Sequence, residues 1–241
     1  VLFLNAATFA VSLVFLLTLP RDRPVGGSLT EKLRSMPTDM AEGLVVIWRS
    51  SLLRYLVSAG AATGIAGGAL NACIVVIASE RFGGGGEMVG IFISSAGVGA
   101  FLASLLLSFL SERIPQSRIT LVGLVAGLLS FLGIALAANP IMMAVFCVAW
   151  GLTYTVLIIN NVTIRQSVLP DVYQARVNST ARTIAWGGEP VGAGLTVLLL
   201  VYLPDSIVLL IAAIPFLIAT IVAPFTALKN RELTPVPVLA R

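Results

Sequence analysis

One acidic residue, Glu189, lies deep inside an apolar stretch, in the segment Ala185-Trp-Gly-Gly-Glu-Pro-Val-Gly192. A carboxylate placed within a membrane is costly, so such a residue normally faces a cavity or a partner. We predict that Glu189 takes up and releases a proton or meets a cationic group of a ligand. Two structural roles compete with this hypothesis. One is an ion pair with Arg182, two helical turns earlier on the same face, and the other is hydrogen bonding to backbone groups freed by Pro190.

Three amides also lie within or at the end of apolar stretches: Asn71, Asn160 and Asn161. In lipid each amide needs a partner, so all three should face the interior of a helical bundle, where they bond to other helices or contact a substrate. The sequence contains no His, the commonest general base and metal ligand. Cys73 and Cys147 have no CxxC spacing and are predicted to be small core residues. We expect no catalytic residue, no metal and no cofactor, and hence no enzyme.

Two charged clusters lie between apolar stretches. The first consists of Glu112, Arg113 and Arg118, and the second of Arg165, Asp171 and Arg176. Carboxylates and guanidinium groups at neighbouring helix ends can pair in one conformation and separate in another, which would make each cluster a gate. The alternatives are that the arginines only anchor helix ends at the membrane surface, and that Asp171 is the N-cap of a helix that starts at Pro170-Asp171.

The elements that position these residues are predicted to be membrane-spanning helices. Hydrophobic residues make up 58% of the 241 residues, charged residues only 11%, and the mean hydropathy is +1.01. Soluble domains carry about 25% charged residues, so most of this surface must face lipid. Runs of about 20 apolar residues occur at Val1–Leu19, Tyr55–Ser79, Met88–Leu110, Ile119–Ala138, Ile141–Ile159, Thr183–Leu203 and Ser206–Leu228. The sequence therefore predicts an all-α polytopic bundle with about seven crossings.

The basic residues predict the orientation of these crossings. Of the 15 Lys and Arg residues, only Arg81 falls in the connections of one side. By the positive-inside rule the other side is cytoplasmic, including the C-terminus. Because the basic residues are spread between apolar runs, they do not form a nucleic-acid surface.

We expect four parts along the chain. Residues 1–19 form the last helix of a missing N-terminal half, 20–54 a cytoplasmic linker, 55–228 a six-helix bundle and 229–241 a cytoplasmic tail. The missing half is inferred from the absence of an initiator Met and of a signal peptide before the first span. Within the linker, Met40 to Arg54 should form an amphipathic helix with Leu44, Ile47 and Trp48 on one face.

The segment Ser108-Phe-Leu-Ser-Glu-Arg-Ile-Pro-Gln-Ser-Arg118 resembles the cytoplasmic signature of major facilitator transporters, G-x-L-x-D-R-x-G-R-R. Leu110, Glu112, Arg113 and Arg118 lie near the places expected from that pattern, whereas Ser108 and Pro115 replace its two glycines. The segment lies between the second and third spans of the six-helix half, where the second copy of that signature belongs.

Three further segments resemble the bacterial branch of this superfamily that contains the enterobactin exporter and the macrolide-efflux proteins: Arg165–Asp171, Arg176–Arg182 and Ala185–Gly192. Their pattern is R-Q-x-x-x-P-D, then R-V-N, then W-G-x-x-P-x-G. The resemblance implies that the seven apolar runs correspond to helices six to twelve of a twelve-helix transporter, and that this transporter lies in the bacterial inner membrane. It implies proton-coupled efflux (antiport) of a small amphipathic molecule, such as a drug or siderophore, by alternating access. The implied partners are the lipid bilayer, the N-terminal half, the substrate and protons.

Other functions fit the residues less well. A membrane enzyme would need converging catalytic groups, and a retinal photoreceptor a buried Lys, whereas Lys32 and Lys229 lie outside the spans. No span carries the charge ring or glycine filter of a channel. A non-transporting structural or regulatory subunit stays open as the alternative.

Glycines repeat at four-residue spacing within three of the spans, at Gly60, Gly64 and Gly68, at Gly123 and Gly127, and at Gly188 and Gly192. This spacing allows helices to approach closely, so we expect these residues to line helix–helix contacts.

Overall fold

The computed structural model describes residues 2–18 and 29–226. Within them the chain forms α-helices and short π and 3-10 turns, with no strand, which confirms the predicted all-α fold. The helices are α1 (Leu2–Thr18), α2 (Leu29–Arg49), α3 (Ser51–Val76), α4 (Gly86–Leu110), α5 (Gln116–Ala135), α6 (Pro140–Val168), α7 (Asp171–Leu200) and α8 (Asp205–Val222). A π-helical turn, Ile77–Arg81, continues α3, and a 3-10 turn, Ala223–Phe225, follows α8.

Six helices, α3 to α8, are long and apolar enough to cross a membrane, as the sequence predicted for the six later spans. The first predicted span coincides with α1, which is apolar but has only 17 residues. That length is at the lower limit for a helical span, so a seventh crossing stays a prediction.

The helices of the fifth and sixth predicted spans are longer than predicted, the fifth at its C-terminal end and the sixth at its N-terminal end. The helix predicted to end at Ile159 continues to Val168, and the one predicted to start at Thr183 starts at Asp171. The polar residues between 160 and 182 continue both helices beyond the apolar runs. The connection is only Leu169 and Pro170, where Leu169 is extended, the conformation favoured before proline.

The predicted amphipathic helix also has different bounds. The helix α2 starts at Leu29 instead of Met40 and ends at Arg49, and the Ser50 hydroxyl accepts a hydrogen bond from the Leu53 N–H as the N-cap of α3. Residues 51–54 therefore belong to α3, the first of the six helices long enough to cross a membrane.

The predicted apolar face of the amphipathic helix lies only partly against the bundle. Ile47 is buried, whereas Leu44 and Trp48 are 45% and 69% exposed, so their contact with the membrane surface stays a prediction. The face that packs on the bundle includes Gly43, Val46 and Ile47, and a side chain at position 43 would collide with Thr180 Oγ1 and the Arg176 carbonyl of α7.

The chain divides into two compact units, Val1–Pro37 and Thr38–Arg241. The first contains α1 and the beginning of α2. The second contains the remainder of α2 and the six-helix bundle, on which all of the following observations are made.

The six helices of the bundle follow one another around an incomplete ring in the order α7, α3, α8, α5, α6, α4. Neighbours in this order pack extensively, whereas contacts between α3 and α6 and between α6 and α7 are sparse. The ring is therefore open on the side between the α7–α3 pair and the α6–α4 pair.

Glycines line the closest helix contacts, as predicted. A side chain at Gly64 would meet the Ala185 carbonyl of α7, and one at Gly68 would meet the Glu189 carbonyl. Conversely, Gly188 and Gly192 face backbone carbonyls of α3. Backbone-to-backbone approach of this kind is possible only where the Cβ is absent or small.

The other predicted glycine pair has a different role. Gly123 and Gly127 of α5 accommodate the side chains of Leu157 and Phe216, not another backbone. A further close contact, which we did not predict, joins Gly99 of α4 to Gly151 of α6, each against a carbonyl of the other helix.

An ion pair joins three helices at one end of the bundle. The Arg81 Nη2 lies 2.8 Å from the Asp205 Oδ2 at the start of α8, and both atoms are shielded from solvent. The Arg81 Nη1 also donates to the carbonyls of Ala135 and Ala137, at 3.2 and 3.4 Å, at the end of α5. The turn that follows contains Gly83, whose φ of +66° favours glycine. We call this the Arg81 end and the opposite one, which carries Arg54, the basic end.

Candidate functional site

A groove runs along the open side of the ring and contains two pockets. The basic-end pocket is lined by α3, α5, α6 and α7, and its wall includes Leu56, Leu157, Arg165, Arg182 and Trp186. The Arg81-end pocket is lined by α3, α4, α6 and α7, and its wall includes Asn71, Ile74, Phe92, Trp150 and Glu189. Both pockets are open to solvent, and their volumes of about 750 and 850 Å³ include the space at their mouths.

A hydrogen bond spans the groove where the pockets meet. The Tyr154 hydroxyl of α6 donates to the Glu189 Oε1 of α7 at 2.5 Å, and both residues are half-buried. Tyr154 lines both pockets. The two predicted structural roles of Glu189 are not observed. Arg182 instead stacks over the Trp186 ring, 5.2 Å from its centroid, a cation–π contact that turns it away from the carboxylate.

Aromatic packing fixes the position of Tyr154. Its ring lies 5.5 Å from Trp150, which in turn contacts Phe131 at 5.0 Å and Phe216 at 5.9 Å between centroids. Trp150 and both phenylalanines are buried. The hydroxyl that reaches Glu189 is therefore held by a rigid core formed by α5, α6 and α8.

Arg165 makes the second connection across the groove. Its Nε donates to the Asn178 Oδ1 of α7 at 3.1 Å, and its Nη1 donates to the Asn161 Oδ1 at 2.5 Å. The Asn161 Nδ2 donates to the Leu56 carbonyl of α3 at 2.7 Å. Polar side chains thus join α6 to both helices on the far side of the groove, where close backbone packing is sparse.

The other two predicted amides separate into different environments. Asn160 is buried and donates to the Gln116 carbonyl and the Thr120 hydroxyl of α5, both at 2.7 Å, which is an interhelical structural role. Asn71 was expected in the bundle interior but is exposed, and it lines the Arg81-end pocket. Asn71 lies on the face of α3 that borders the open side of the ring, and that face lines the groove.

The two predicted charged clusters behave differently. Glu112, Arg113 and Arg118 lie around the turn between α4 and α5 and are all exposed, and none forms an ion pair with another side chain of residues 36–226. Arg165, Asp171 and Arg176 do not form a cluster with one another.

Each member of that second set has its own partner. Arg176 pairs with Asp39 and Glu42 of α2, at 2.9 and 2.5 Å. Asp171 is the first residue of α7 and not its N-cap, and its Oδ1 accepts from Gln174 Nε2 at 3.0 Å. In this conformation the three side chains turn to different neighbours, because α7 begins earlier than expected, and a gate formed by them stays a prediction.

Sequence reasoning missed three groups that complete the site: the Tyr154 hydroxyl, the Asn178 amide and the carboxylates that hold Arg176. Asn178 stands in the Arg176-Val-Asn178 motif, so its position in a charged motif was a usable signal. Nothing in the local sequence marks Tyr154, whose partner is 35 residues away.

Comparison with known proteins agrees with this architecture of six spanning helices around a groove. A search among curated proteins finds no match to the chain. The sequence model of the Major Facilitator Superfamily matches residues 1–192, which include helices α3 to α6, most of α7 and every groove residue named above. The chain therefore belongs to the Major Facilitator Superfamily of membrane transporters.

Proposed function

We propose that this chain forms one half of a secondary active transporter that exports a small amphipathic molecule in exchange for protons. The observation that carries the proposal is the Tyr154–Glu189 hydrogen bond, which crosses the groove between its two pockets. When a carboxylate lies at the boundary between two cavities, proton uptake can change which of the two cavities is open to solvent.

The physical basis is the strength of this hydrogen bond in its two protonation states. A hydrogen bond to a charged group contributes about 1.5–3 kcal/mol, and one between neutral groups about 0.5–1.5 kcal/mol. Protonation of Glu189 would therefore weaken the connection between α6 and α7 by about 1 kcal/mol or more. A difference of 1.4 kcal/mol shifts a conformational equilibrium about tenfold, so one proton is enough to bias the transporter.

A second six-helix half is proposed to close the open side of the ring. The faces of α4 and α7 that flank the groove are largely exposed in the bundle, and the groove lacks a wall there. Glu112, Arg113 and Arg118, exposed at the basic end, are available to pair with that half and to act as a gate that opens and closes with it. By the positive-inside rule, the distribution of basic residues supports a cytoplasmic basic end, and the resemblance to the efflux branch supports the inner membrane of a bacterium as its location.

The test is efflux from cells that express both halves, with Glu189→Gln compared to the matched control Glu87→Gln. Glu87 is exposed at the start of α4, outside the pockets. Ethidium, erythromycin and a catecholate siderophore serve as probes, and protein levels are checked by immunoblot. We expect Glu189→Gln to abolish proton-driven efflux and Glu87→Gln to retain it.

Two results would contradict the proposal. Unchanged efflux in Glu189→Gln would remove this carboxylate from proton coupling. Absence of proton-driven flux of any probe with the unmodified protein would favour the alternative, a non-transporting membrane subunit.

A further inference from the structure

A buried positive charge in the basic-end pocket has no negative partner. Arg165 is only 5% exposed and lines the pocket, and its two hydrogen-bond acceptors are neutral amide oxygens. Arg182 lines the same pocket, where its guanidinium covers Trp186. Among residues 36–226, no carboxylate lies at ion-pair distance from either arginine. The pocket therefore carries two positive charges that the described residues do not neutralise.

The helix to which Arg165 belongs offsets this charge only in part. Arg165 lies in the last turn of α6, where the carbonyl ends of the helix favour a cation. This contribution is smaller than the cost of removing an ion from water. A bound anion would offset the remaining cost, because its charge would pair with that of Arg165.

The geometry of the pocket also favours an anion. A guanidinium has five N–H donors in a planar fork, and within the described part of the chain two of those of Arg165 are used, by Asn161 and Asn178. These amides hold the fork in place and leave donors for a carboxylate, sulfonate or phosphate, which arginine binds with two parallel hydrogen bonds. The remaining wall is mostly apolar, with Leu56, Leu157 and the ring of Trp186, and it also includes Thr63 and Thr120.

We propose that the basic-end pocket binds the anionic group of an amphipathic ligand, at Arg165 and Arg182, with the apolar part of the ligand against Trp186 and Leu157. This inference rests on the proposed function and narrows it, because it makes the exported molecule an anion. A phospholipid headgroup has the same chemistry, so the experiment separates a soluble anion from a lipid.

Three naphthalene derivatives of matched size test the charge preference: naphthalene-2-sulfonate (anionic), naphthalene-2-sulfonamide (neutral) and naphthylmethyl-trimethylammonium (cationic). Binding to the full chain in phosphatidylcholine nanodiscs is measured by calorimetry. We expect the sulfonate to bind at least tenfold more tightly than the sulfonamide, and the ammonium more weakly than both. Arg165→Gln and Arg182→Gln should each raise the Kd of the sulfonate about tenfold and leave that of the sulfonamide unchanged.

The control is Arg54→Gln, which removes one exposed charge from the same end but does not line the pocket. It should bind the sulfonate with the wild-type Kd. Arg165→Lys retains the charge without the fork and should keep part of the preference, provided that its size-exclusion profile is normal. Equal binding of sulfonate and sulfonamide by the wild type, or equal losses in Arg54→Gln and Arg182→Gln, would overturn the proposal.

Nanodiscs that contain phosphatidylglycerol identify the source of the anion. If this lipid competes with the sulfonate in the wild type but not in Arg165→Gln, the anion site is occupied by a headgroup; if it does not compete, the site takes a soluble anion. Because binding requires neither protons nor transport, anion binding together with failed efflux would reject the proposed function alone. Efflux without an anion preference would reject only this inference.

Discussion

At the scale of single residues, the Tyr154 hydroxyl determines how Glu189 is held. We expect Tyr154→Phe to lower proton-driven efflux at least tenfold, because loss of a hydrogen bond to a charged group weakens the α6–α7 connection by about 1.5–3 kcal/mol. The ring, and with it the packing on Trp150, is retained. Efflux of the same probes measures the effect, at matched protein levels.

Tyr202→Phe is the control for this prediction, since Tyr202 is 84% exposed in the turn after α7. It should retain wild-type efflux. If Tyr154→Phe also retains it while Glu189→Gln does not, then the proton acts at Glu189 without help from the tyrosine.

The sequence identified Glu189 but not the partner that it would use. An acidic residue within an apolar run is a local signal, and it correctly predicted a residue at a cavity. The choice between Arg182 and Tyr154 is not local, because it depends on how α6 crosses α7 and on the Trp186 ring that holds Arg182. Helical spacing alone therefore predicted the wrong contact.

At the scale of helices, the α3–α7 contact depends on glycine. We expect Gly68→Ala to destabilise the bundle by about 1–3 kcal/mol, the usual cost of overpacking, because the added methyl group would overlap the Glu189 carbonyl. Thermal unfolding in detergent can be followed with a thiol-reactive dye, since Cys73 and Cys147 are both buried in the folded protein.

The matched control for this substitution is Gly97→Ala in α4, where an added Cβ has no neighbour within 4 Å. Alanine is favoured over glycine within a helix by about 1 kcal/mol, so this variant should be as stable as the wild type or slightly more so. Equal melting temperatures of the two variants would show that close backbone approach does not stabilise this contact.

The existence of the spanning helices could be predicted, but not their ends. Apolar runs of membrane length mark each span, because lipid requires both apolar side chains and an internally hydrogen-bonded backbone. That requirement does not apply outside the membrane. The helix α6 continues through polar residues to Val168, and α7 already begins at Asp171, also in a polar segment. This extension is what separated the predicted cluster of Arg165, Asp171 and Arg176.

At the scale of the whole molecule, the proposed orientation can be tested directly. We expect Ser111→Cys, in the turn between α4 and α5, to be protected from a membrane-impermeant maleimide in intact cells. Gly85→Cys, at the opposite end of α4, should react. Both positions are exposed, and the two native cysteines are buried and provide a low background. The reverse labelling pattern would place the basic end outside the cell.

Hydropathy and charge predict how many helices cross and which ends share a side, because each depends on one segment at a time. The order α7, α3, α8, α5, α6, α4 around the ring depends on contacts between distant segments, as does the groove. Tyr55 illustrates this dependence, since its hydroxyl donates to the Ala219 carbonyl at 2.7 Å across 164 residues. No local pattern encodes such a pairing.

The ion pair of Arg81 with Asp205 has a consequence for biosynthesis. The carboxylate is encoded 124 residues after the guanidinium that it neutralises. At about 5–20 residues per second of synthesis, Asp205 is made roughly 6–25 s after Arg81. During that interval the C-terminal end of α3 carries a positive charge without its counter-ion. Because α8 packs between α3 and α5, this part of the ring forms only after α8, the last helix of the bundle, has been inserted.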